Sequence, residues 1–292
     1  MPGHDEGPCG RAACGKPLRR LIVNADDLGR SVSINRAVLR CHREGILTSS
    51  SLMVGGGAFA EAVALAKDTP SLGVGLHLTA LCGHPVLAEE AWPRLVVRSG
   101  RFSDHPVVVG ALYNFLPRAR RLLAQEVSAQ FERFARTGLP LSHVDGHLHF
   151  HVHPVIFGVA LRLAVSQGAV GLRIPRDDLR LNLRLDPTGT GPKRALAAVF
   201  SAMNRRCLRL ARRTPLLIPD RSLGLFRSER MDEGHLCGLV RHLPIGLSEI
   251  YLHPDDGGRG ETGSTEMEAL LSPRVRQAIE ESGITLTSYS RG

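Results

Sequence analysis

Short apolar segments alternate with helix-like segments along nearly the whole chain, and this alternation restricts the fold more than any other feature of the sequence. Predicted strands cover residues 21–23, 46–54, 73–78, 141–145, 171–174, 247–252 and 284–287. Predicted helices cover residues 31–44, with Ser31 or Ser33 as the cap, 58–67, 121–136, 154–167, 194–213 and 273–281. No linker or repeat interrupts the pattern, and 292 residues is an ordinary length for one barrel-type domain. The sequence therefore predicts a single α/β domain with a mainly parallel sheet.

Three regions depart from this alternation. Residues 1–18 are rich in Gly, Pro and Ala, and we expect a flexible leader there, followed by the domain at 19–292. Residues 79–117 contain scattered Gly and Pro and no predicted element, and a connection of that length usually covers or forms a site. Residues 176–230 are predicted to form a basic, partly helical insertion in the domain.

Targeting signals and cysteine spacing bear on the compartment of the protein. The leader lacks the apolar segment of a secretory signal, and the chain has no run of about 18 uncharged apolar residues. The six cysteines include no CxxC pair, so free thiols in a reducing cytosol are expected. These features predict a cytoplasmic protein without a membrane span.

The formal charge of +9 is concentrated in one part of the chain. Residues 171–230 contain 14 basic and 5 acidic side chains, whereas the rest contains 23 of each. This distribution excludes a uniformly basic coat for nucleic acid. A non-enzymatic polyanion-binding protein that uses the Arg-rich stretch remains an alternative, but aromatic residues make up only 4% of the chain and offer little surface for base stacking.

The predicted helix Arg194–Arg213 combines an apolar stripe with five arginines near its end. A basic amphipathic helix of this kind can lie on an anionic membrane surface, here the inner face of the membrane. An ordinary barrel helix with a solvated arginine face shows the same pattern, so both interpretations stay open.

Polar side chains occur at or just after the end of five predicted strands. In α/β barrels the carboxyl ends of the strands form the rim where sites assemble, so these residues are expected to converge. They are Asp26, Asp27, His77, His147, Arg173 and His253.

The pair Asp26-Asp27 follows the first apolar strand directly. Two buried carboxylates repel one another, and a bound cation relieves the repulsion. The alternative is an Asx-turn or a helix cap ahead of Ser31, since Asp is favoured in both.

Histidines are concentrated between residues 142 and 153, where five of the thirteen in the chain fall, at positions 143, 147, 149, 151 and 153. Neutral imidazole is the commonest metal ligand. The four at alternating positions would share a face on a strand, but Gly146 and Pro154 favour a turn, in which one or two bind a metal and the others orient it or contact substrate. For this cluster, the alternative is a purely structural group of histidines. For His77, the alternative is a core position in its apolar strand.

Asp26, Asp27, His77 and His147 supply the parts of a metal-dependent hydrolase. One carboxylate and two imidazoles leave open positions on a divalent ion, and a second carboxylate can accept a proton from water. A phosphoesterase or a cyclic-amide hydrolase on a similar barrel would use similar parts, usually with more ligands or two metals. This ligand set favours zinc on chemical grounds.

Three motifs resemble the YdjC/ChbG-like carbohydrate deacetylases, in the order expected for that family and from about residue 20 to the end of the chain. They are Asn24-Ala25-Asp26-Asp27-Leu28-Gly29, Gly75-Leu76-His77 and His143-Val144-Asp145-Gly146-His147-Leu148-His149. The length and the Arg-rich later region are most similar to the hopanoid-biosynthesis branch, HpnK.

The resemblance implies a distorted (β/α) barrel of the polysaccharide-deacetylase type. It also implies one divalent metal, magnesium or zinc, bound by Asp27, His77 and His147, with Asp26 as the general base that activates water against an acetamido carbonyl. His253 would protonate the leaving amine. Asp255 replaces a glycine that commonly follows His-Pro in the family, and a histidine with only a backbone hydrogen bond is the alternative for His253.

Further implications concern the surroundings of the centre and the substrate. Asp145, His149 and Arg173 are expected to contact substrate or to orient the ligands, although a plain buried ion pair is an alternative for Arg173. The substrate implied by the resemblance is an N-acetylated amino sugar, and the HpnK branch implies an N-acetylglucosaminyl hopanoid lipid. A homodimer fits the resemblance.

Overall fold

A curled parallel β-sheet flanked by helices forms the centre of the computed structural model, which describes residues 18–92, 97–257 and 261–289. The predicted leader lies outside the described residues except for residue 18. The strands are β1 (Arg19–Leu28), β2 (Ser49–Leu52), β3 (Gly73–Leu78), β4 (Val97–Arg98), β5 (Arg101–Phe102), β6 (His143–Gly146), β7 (Gly171–Leu172), β8 (Arg221–Leu223), β9 (Gly246–Leu252) and β10 (Ile284–Thr287). The helices are α1 (Val32–Glu44), α2 (Phe59–Lys67), α3 (Pro106–Phe115), α4 (Pro117–Ala135), α5 (Pro154–Ser166), α6 (Leu179–Leu185), α7 (Thr190–Ala211), α8 (Glu233–Arg241), α9 (Glu261–Leu271) and α10 (Pro273–Glu281).

The main sheet has the strand order β7-β6-β3-β2-β1-β9-β8, and every ladder in it is parallel. Along one edge of β1, residues 19–22 pair with β10 and residues 24–28 pair with β2. The edge strands β7 and β8 are linked through residues 217–222, because Leu217 bonds to the backbone at Val170 and Leu172, and Ser222 donates to the carbonyl of Arg176. The result is a distorted half-barrel, and the predicted fold class is confirmed.

β1 is the central strand, and its sequence explains its position. From Leu21 to Leu28 every residue is buried, as expected for a parallel strand covered on both faces by helices. α1 begins as predicted, because the Ser31 hydroxyl accepts a hydrogen bond from the amide of Ile34. Since Ser31 is the cap, the alternative that Asp26 or Asp27 caps this helix is wrong.

Several boundaries differ from the prediction. Residues 79–117 contain the hairpin β4–β5 and helix α3, so the prediction that the whole stretch is irregular is wrong. Helix α3 was missed because only Val109 and Tyr113 face inward, while Val107 and Val108 are exposed, so no amphipathic stripe marks it. The predicted strand 46–54 is limited to β2, and α6, α8 and α9 had no counterpart in the prediction.

The predicted insertion 176–230 contains α6, α7 and β8. Among the described helices, none has the length and apolar character needed to cross a membrane. The cysteines within the described residues, at positions 41, 82, 207 and 237, are free, whereas Cys9 and Cys14 lie outside them.

Candidate metal centre

A β-bulge at the end of β1 places two carboxylates at the rim. The strand does not break at Asn24 as predicted but continues to Leu28, and its register with β2 shifts between Ala25 and Leu28. Asp27 adopts a left-handed conformation with φ of 69° within this shift. Adjacent side chains of a regular strand point to opposite faces, and the bulge changes the direction of one of them. Asp26 and Asp27 are both buried.

Asp27, His77 and His147 converge as predicted. The Oδ1 atom of Asp27 lies 2.9 Å from Nδ1 of His147 and 3.3 Å from Nε2 of His77. One donor atom from each residue lies within 4.8 Å of the others, so this group could hold a metal ion. The three residues come from the ends of β1 and β3 and from the turn after β6.

Asp145 orients the imidazole of His77. The two residues are direct partners in the β3–β6 ladder, and Nδ1 of His77 lies 2.8 Å from Oδ1 of Asp145. With Nδ1 held by this carboxylate, Nε2 on the side of Asp27 is the nitrogen that could bind a metal ion. The Nε2 atom is buried and has no hydrogen-bond partner among the described residues. An orphaned nitrogen of this kind beside a carboxylate fits a metal ligand.

The electrostatics of the centre also favour a bound cation. Burial lowers the pKa of His77, but Asp145 and Asp27 outweigh burial and raise it to about 10. Burial raises the pKa of Asp27, but His147 and His77 hold it well below its usual value. The second carboxylate oxygen of Asp27, Oδ2, pairs with Arg30 at 2.9 Å. A pocket that stabilises positive charge on its imidazole is suited to a divalent ion.

Arg173 joins Asp26 to the rest of the centre. Its guanidinium is fully buried and forms two 2.8 Å hydrogen bonds to the two oxygens of Asp26. It also lies 2.8 Å from Asp145 and 3.0 Å from Glu249, and it stacks on the ring of Tyr251 at 4.4 Å. All of these contacts are with other side chains of the protein. The residue is therefore a buried ion-pair partner that fixes the candidate base.

His253 faces Asp26 across the rim. Its Nε2 atom lies 3.9 Å from Oδ2 of Asp26, and its backbone amide donates to the buried carboxylate of Glu266. Burial lowers the pKa of His253, but Glu266 and Asp26 more than compensate and raise it above the usual 6.5. Asp255, which replaces the glycine common in the family, is buried against Gly263, whose missing side chain leaves room for it.

Two further histidines of the predicted cluster, His149 and His151, are buried in the turn after β6, as Gly146 and Pro154 indicated. His149 has a positive φ and bonds through Nε2 to the Tyr251 hydroxyl at 2.8 Å. His151 donates from Nε2 to the carbonyl of Arg173. Burial lowers the pKa of both rings, that of His151 to about 4, so both imidazoles are neutral. Their hydrogen bonds attach the turn after β6 to Tyr251 and to the backbone of Arg173.

Sequence reasoning missed Arg30, Glu249, Tyr251 and Glu266. Glu249 and Tyr251 are two residues apart on β9 and point to the same face, toward Arg173. A lone Glu inside an otherwise apolar strand was the available signal for Glu249, because such a charge requires a buried partner. Arg30 and Glu266 carry no comparable signal.

A cavity of about 370 Å³ adjoins the centre. Arg30 links it to Asp27, and its volume falls in the range of small-molecule sites. Its wall includes Ser33, Gly56, Thr79, Arg101 and Asp255.

A parallel half-barrel with a carboxylate and two imidazoles at its carboxyl-end rim is the architecture of barrels that bind a metal ion for hydrolysis. The model of the family described as YdjC-like protein matches residues 20–281. The chain belongs to the YdjC-like family, as predicted.

Relatives of known name agree with this assignment. The chain is 34% identical to the carbohydrate deacetylase of Vibrio parahaemolyticus, an alignment that covers 93% of the chain and 95% of the relative. It is 43% identical to that of Brevibacillus brevis over 53% of the chain, which covers only 59% of that relative. The crystal structure of a candidate cellobiose-phosphate cleavage protein from Enterococcus faecalis, 26% identical, superposes with a TM-score of 0.72 over 93% of the chain and 98% of its own. The names of the curated relatives bear out the predicted class of enzyme, a carbohydrate deacetylase.

Proposed function

We propose that this protein is a metal-dependent hydrolase that removes the N-acetyl group from an N-acetylated amino sugar. The observation that carries the proposal is the buried group of Asp27, His77 and His147 beside a second carboxylate, Asp26, that an arginine holds in place. Membership of a family whose named relatives are carbohydrate deacetylases supports it.

Asp27, His77 and His147 would hold the metal, and Asp145 and Arg30 fix two of these ligands. When bound, a divalent ion at this place polarises an acetamido carbonyl and lowers the pKa of water. Zinc and magnesium both remain candidates, since the ligand types favour zinc and the family resemblance favours magnesium.

Asp26 is the general base in this proposal. The two hydrogen bonds from Arg173 hold both oxygens of the Asp26 carboxylate in one position at the rim. Asn24 donates a further hydrogen bond of 2.9 Å to Oδ1. Asp26 therefore accepts the proton of the attacking water at a fixed position, without reorganisation of the side chain.

His253 is the general acid. Its Nε2 atom lies 3.9 Å from Oδ2 of Asp26, the same oxygen that Arg173 contacts, and the raised pKa favours the protonated form of this imidazole. A protonated Nε2 can pass its proton to the amine that departs when the carbon–nitrogen bond breaks.

Substitution of the proposed ligands should remove the metal. We expect Asp27→Ala, His77→Ala and His147→Ala to purify with little bound metal and to keep their circular dichroism spectra. His42→Ala, which alters a histidine at the surface end of α1, is the matched control and should keep the metal. Full metal occupancy in each of the three variants would show that these residues are not the ligands.

Loss of the general acid should appear in the pH profile. Because the pKa of His253 is raised, we expect turnover to fall only as pH rises above 6.5 and through that pKa. His253→Asn should abolish this fall of turnover at high pH and lower turnover roughly 10²-fold, with the metal content unchanged. The surface variant His242→Asn is the control. If turnover in His253→Asn still falls as pH rises, that fall belongs to another group.

The substrate is tested by acetate release from simple N-acetylglucosamine, from chitobiose and from an N-acetylglucosaminyl hopanoid, each with metal added back. Release from at least one is expected, and release from none would contradict the proposal. The hopanoid substrate, the HpnK branch and a homodimer rest on the resemblance alone and stay predictions.

A second hydrolase class, the two-metal phosphoesterases, finds less support. Within the described part of the chain, a second group with metal-ligand spacing is formed by Asp26, His77 and Asp145, and it shares His77 with the proposed centre. Both carboxylates of that group are already bound to the guanidinium of Arg173. The arrangement therefore favours one metal ion, which matches deacetylation better than two-metal chemistry.

Peripheral membrane contact through Arg194–Arg213 is part of the proposal for a lipid-linked substrate. Helix α7 buries only Asn204, Cys207 and Ala211, while Val199 is 56% and Leu196 36% exposed. Exposed apolar residues among arginines suit an anionic lipid surface.

Vesicle cosedimentation tests this contact. We expect the protein to sediment with vesicles that contain phosphatidylglycerol at low salt, and Val199→Asp to weaken the binding. Ile245→Asp, at a comparably exposed apolar position outside α7, is the control. No sedimentation at low salt would rule out the membrane contact.

A further inference from the structure

A second cavity, of about 320 Å³, lies between α7 and the segments around residues 176 and 221. Three arginines line it, Arg176, Arg205 and Arg221, together with the apolar side chains of Phe200 and Phe226. We call it the arginine cavity. The proposed deacetylation uses none of its residues.

In the part of the chain that the structure describes, two of the three arginines of this cavity, Arg176 and Arg205, lack the carboxylate partners that neighbouring arginines have. Among the described residues, neither Arg176 nor Arg205 forms an ion pair or a hydrogen bond through its side chain. By contrast, Arg221 pairs with Asp178 at 3.2 Å, and Arg227 pairs with Asp186 and Asp232. Arg176 is half-buried, so its charge is partly removed from water without compensation.

The carboxylate beside Arg176 in the sequence is occupied elsewhere. Asp177 turns inward and accepts hydrogen bonds from the backbone amides of Gly224 and Leu225 at 3.0 and 2.8 Å and from the side chain of Asn182. These bonds hold the segment after β8 against the cavity and shape its wall. Asp220 also lines the cavity, and it accepts a hydrogen bond from the amide of Leu247.

Burial and like charge act together on Arg176. Burial is the largest cause of the lowered pKa of its guanidinium, the charges of Arg212 and Arg221 add to it, and the charge of Asp220 offsets it only in part. The folded protein therefore keeps a cation where its neighbours repel it, an arrangement that costs stability and is typical of binding sites for anions.

We infer that the arginine cavity binds a phosphoryl group, with Arg176 and Arg205 as its principal contacts. Guanidinium groups bind phosphate oxygens through paired, charge-assisted hydrogen bonds. The apolar wall of Phe200 and Phe226 suits a phosphate that is carried on a less polar body. Phe200 also packs edge-on against His149, with ring centroids 5.8 Å apart, so the cavity adjoins the turn after β6 that carries His147.

Phosphate binding is measured by calorimetry and by thermal melting, with inorganic phosphate as the probe and the holoprotein in a phosphate-free buffer. We expect saturable binding and a rise in melting temperature with phosphate. Arg176→Gln combined with Arg205→Gln should weaken binding about tenfold or more. Because Arg176 is repelled by its neighbours, the double variant should melt at the same temperature as the natural protein, or higher, when phosphate is absent.

The matched control is Arg194→Gln, which removes the same charge from an exposed position of α7 outside the cavity. This control should bind phosphate as the natural protein does. Equal affinity in the double variant and the natural protein, or no saturable binding at all, would overturn the inference.

Two further arms identify the source of the phosphoryl group. A phosphorylated N-acetylglucosamine that competes with inorganic phosphate indicates a phosphate on the substrate, whereas competition by vesicles of phosphatidylglycerol, and not of phosphatidylcholine, indicates a lipid headgroup. Acetate release from neutral chitobiose should be unchanged in the double variant. The phosphate measurement does not depend on deacetylation, so failure of the proposed function leaves this test intact.

Discussion

Asp26→Asn is expected to lower acetate release about 10²- to 10⁴-fold while the bound metal stays at the level of the natural protein. The amide has the size and shape of the carboxylate and still offers one oxygen to Arg173, but it cannot accept the proton of water. Asp26 does not belong to the group of Asp27, His77 and His147, so the metal should remain. Steady-state acetate release and elemental analysis of the same preparation measure both effects.

Asp256→Asn is the control for this substitution. It makes the same chemical change at a surface carboxylate, which pairs with Arg36 at 2.7 Å, and it should leave turnover unchanged. Full activity in Asp26→Asn would remove Asp26 from the role of base. Loss of metal along with activity would make Asp26 a ligand instead.

Arg173→Gln is expected to destabilise the fold by about 3–5 kcal/mol, the usual cost of removing one partner from a buried ion pair. Asp26, Asp145 and Glu249 would then be buried without the cation that they share. Urea unfolding, followed by circular dichroism, gives the change in the free energy of unfolding.

The control for Arg173 is Arg36→Gln at the exposed pair with Asp256, where water screens both charges and little loss of stability is expected. Arg173→Lys keeps the charge and loses the paired hydrogen bonds, so it should fall between the two. A free energy of unfolding for Arg173→Gln within 1 kcal/mol of the natural value would contradict the role of Arg173 as the shared counter-ion.

Elements with strong local signals were predictable from the sequence. The bounds of β3, α10 and β10 agree with prediction, because apolar runs and the Pro at the start of α10 mark them. The convergence of Asp27, His77 and His147 was also expected, since parallel strands bring their carboxyl ends to one rim.

Other features depend on tertiary contacts that no local pattern encodes. The bulge at Asp27 exists only because β1 pairs with β2 in a shifted register. The partners of Arg173 come from β1, β6 and β9, so their meeting requires the complete sheet. Local patterns therefore indicated the candidate site residues better than the residues that hold them in place.

Charge patterning was informative in a limited way. The Arg-rich stretch raised the question of polyanion binding, and the sequence had no means to separate paired from unpaired arginines. Arg221 and Arg227 have carboxylate partners, whereas Arg176 and Arg205 have none among the described residues. The excess of basic residues therefore lies in the arginine cavity and on the exposed side of α7. It is separate from the acidic and histidine-rich candidate metal centre.

The central claim is that a single metal held by Asp27, His77 and His147 drives deacetylation. The most direct test removes the metal from the protein with a chelator and then titrates the metal-free protein with zinc or magnesium. Bound metal and acetate release from the best N-acetylated sugar are followed in the same samples. Acetate release should rise in proportion to bound metal and level off at about one ion per chain. Acetate release at the full rate from the metal-free protein, or a plateau reached only at two ions per chain, would contradict the claim.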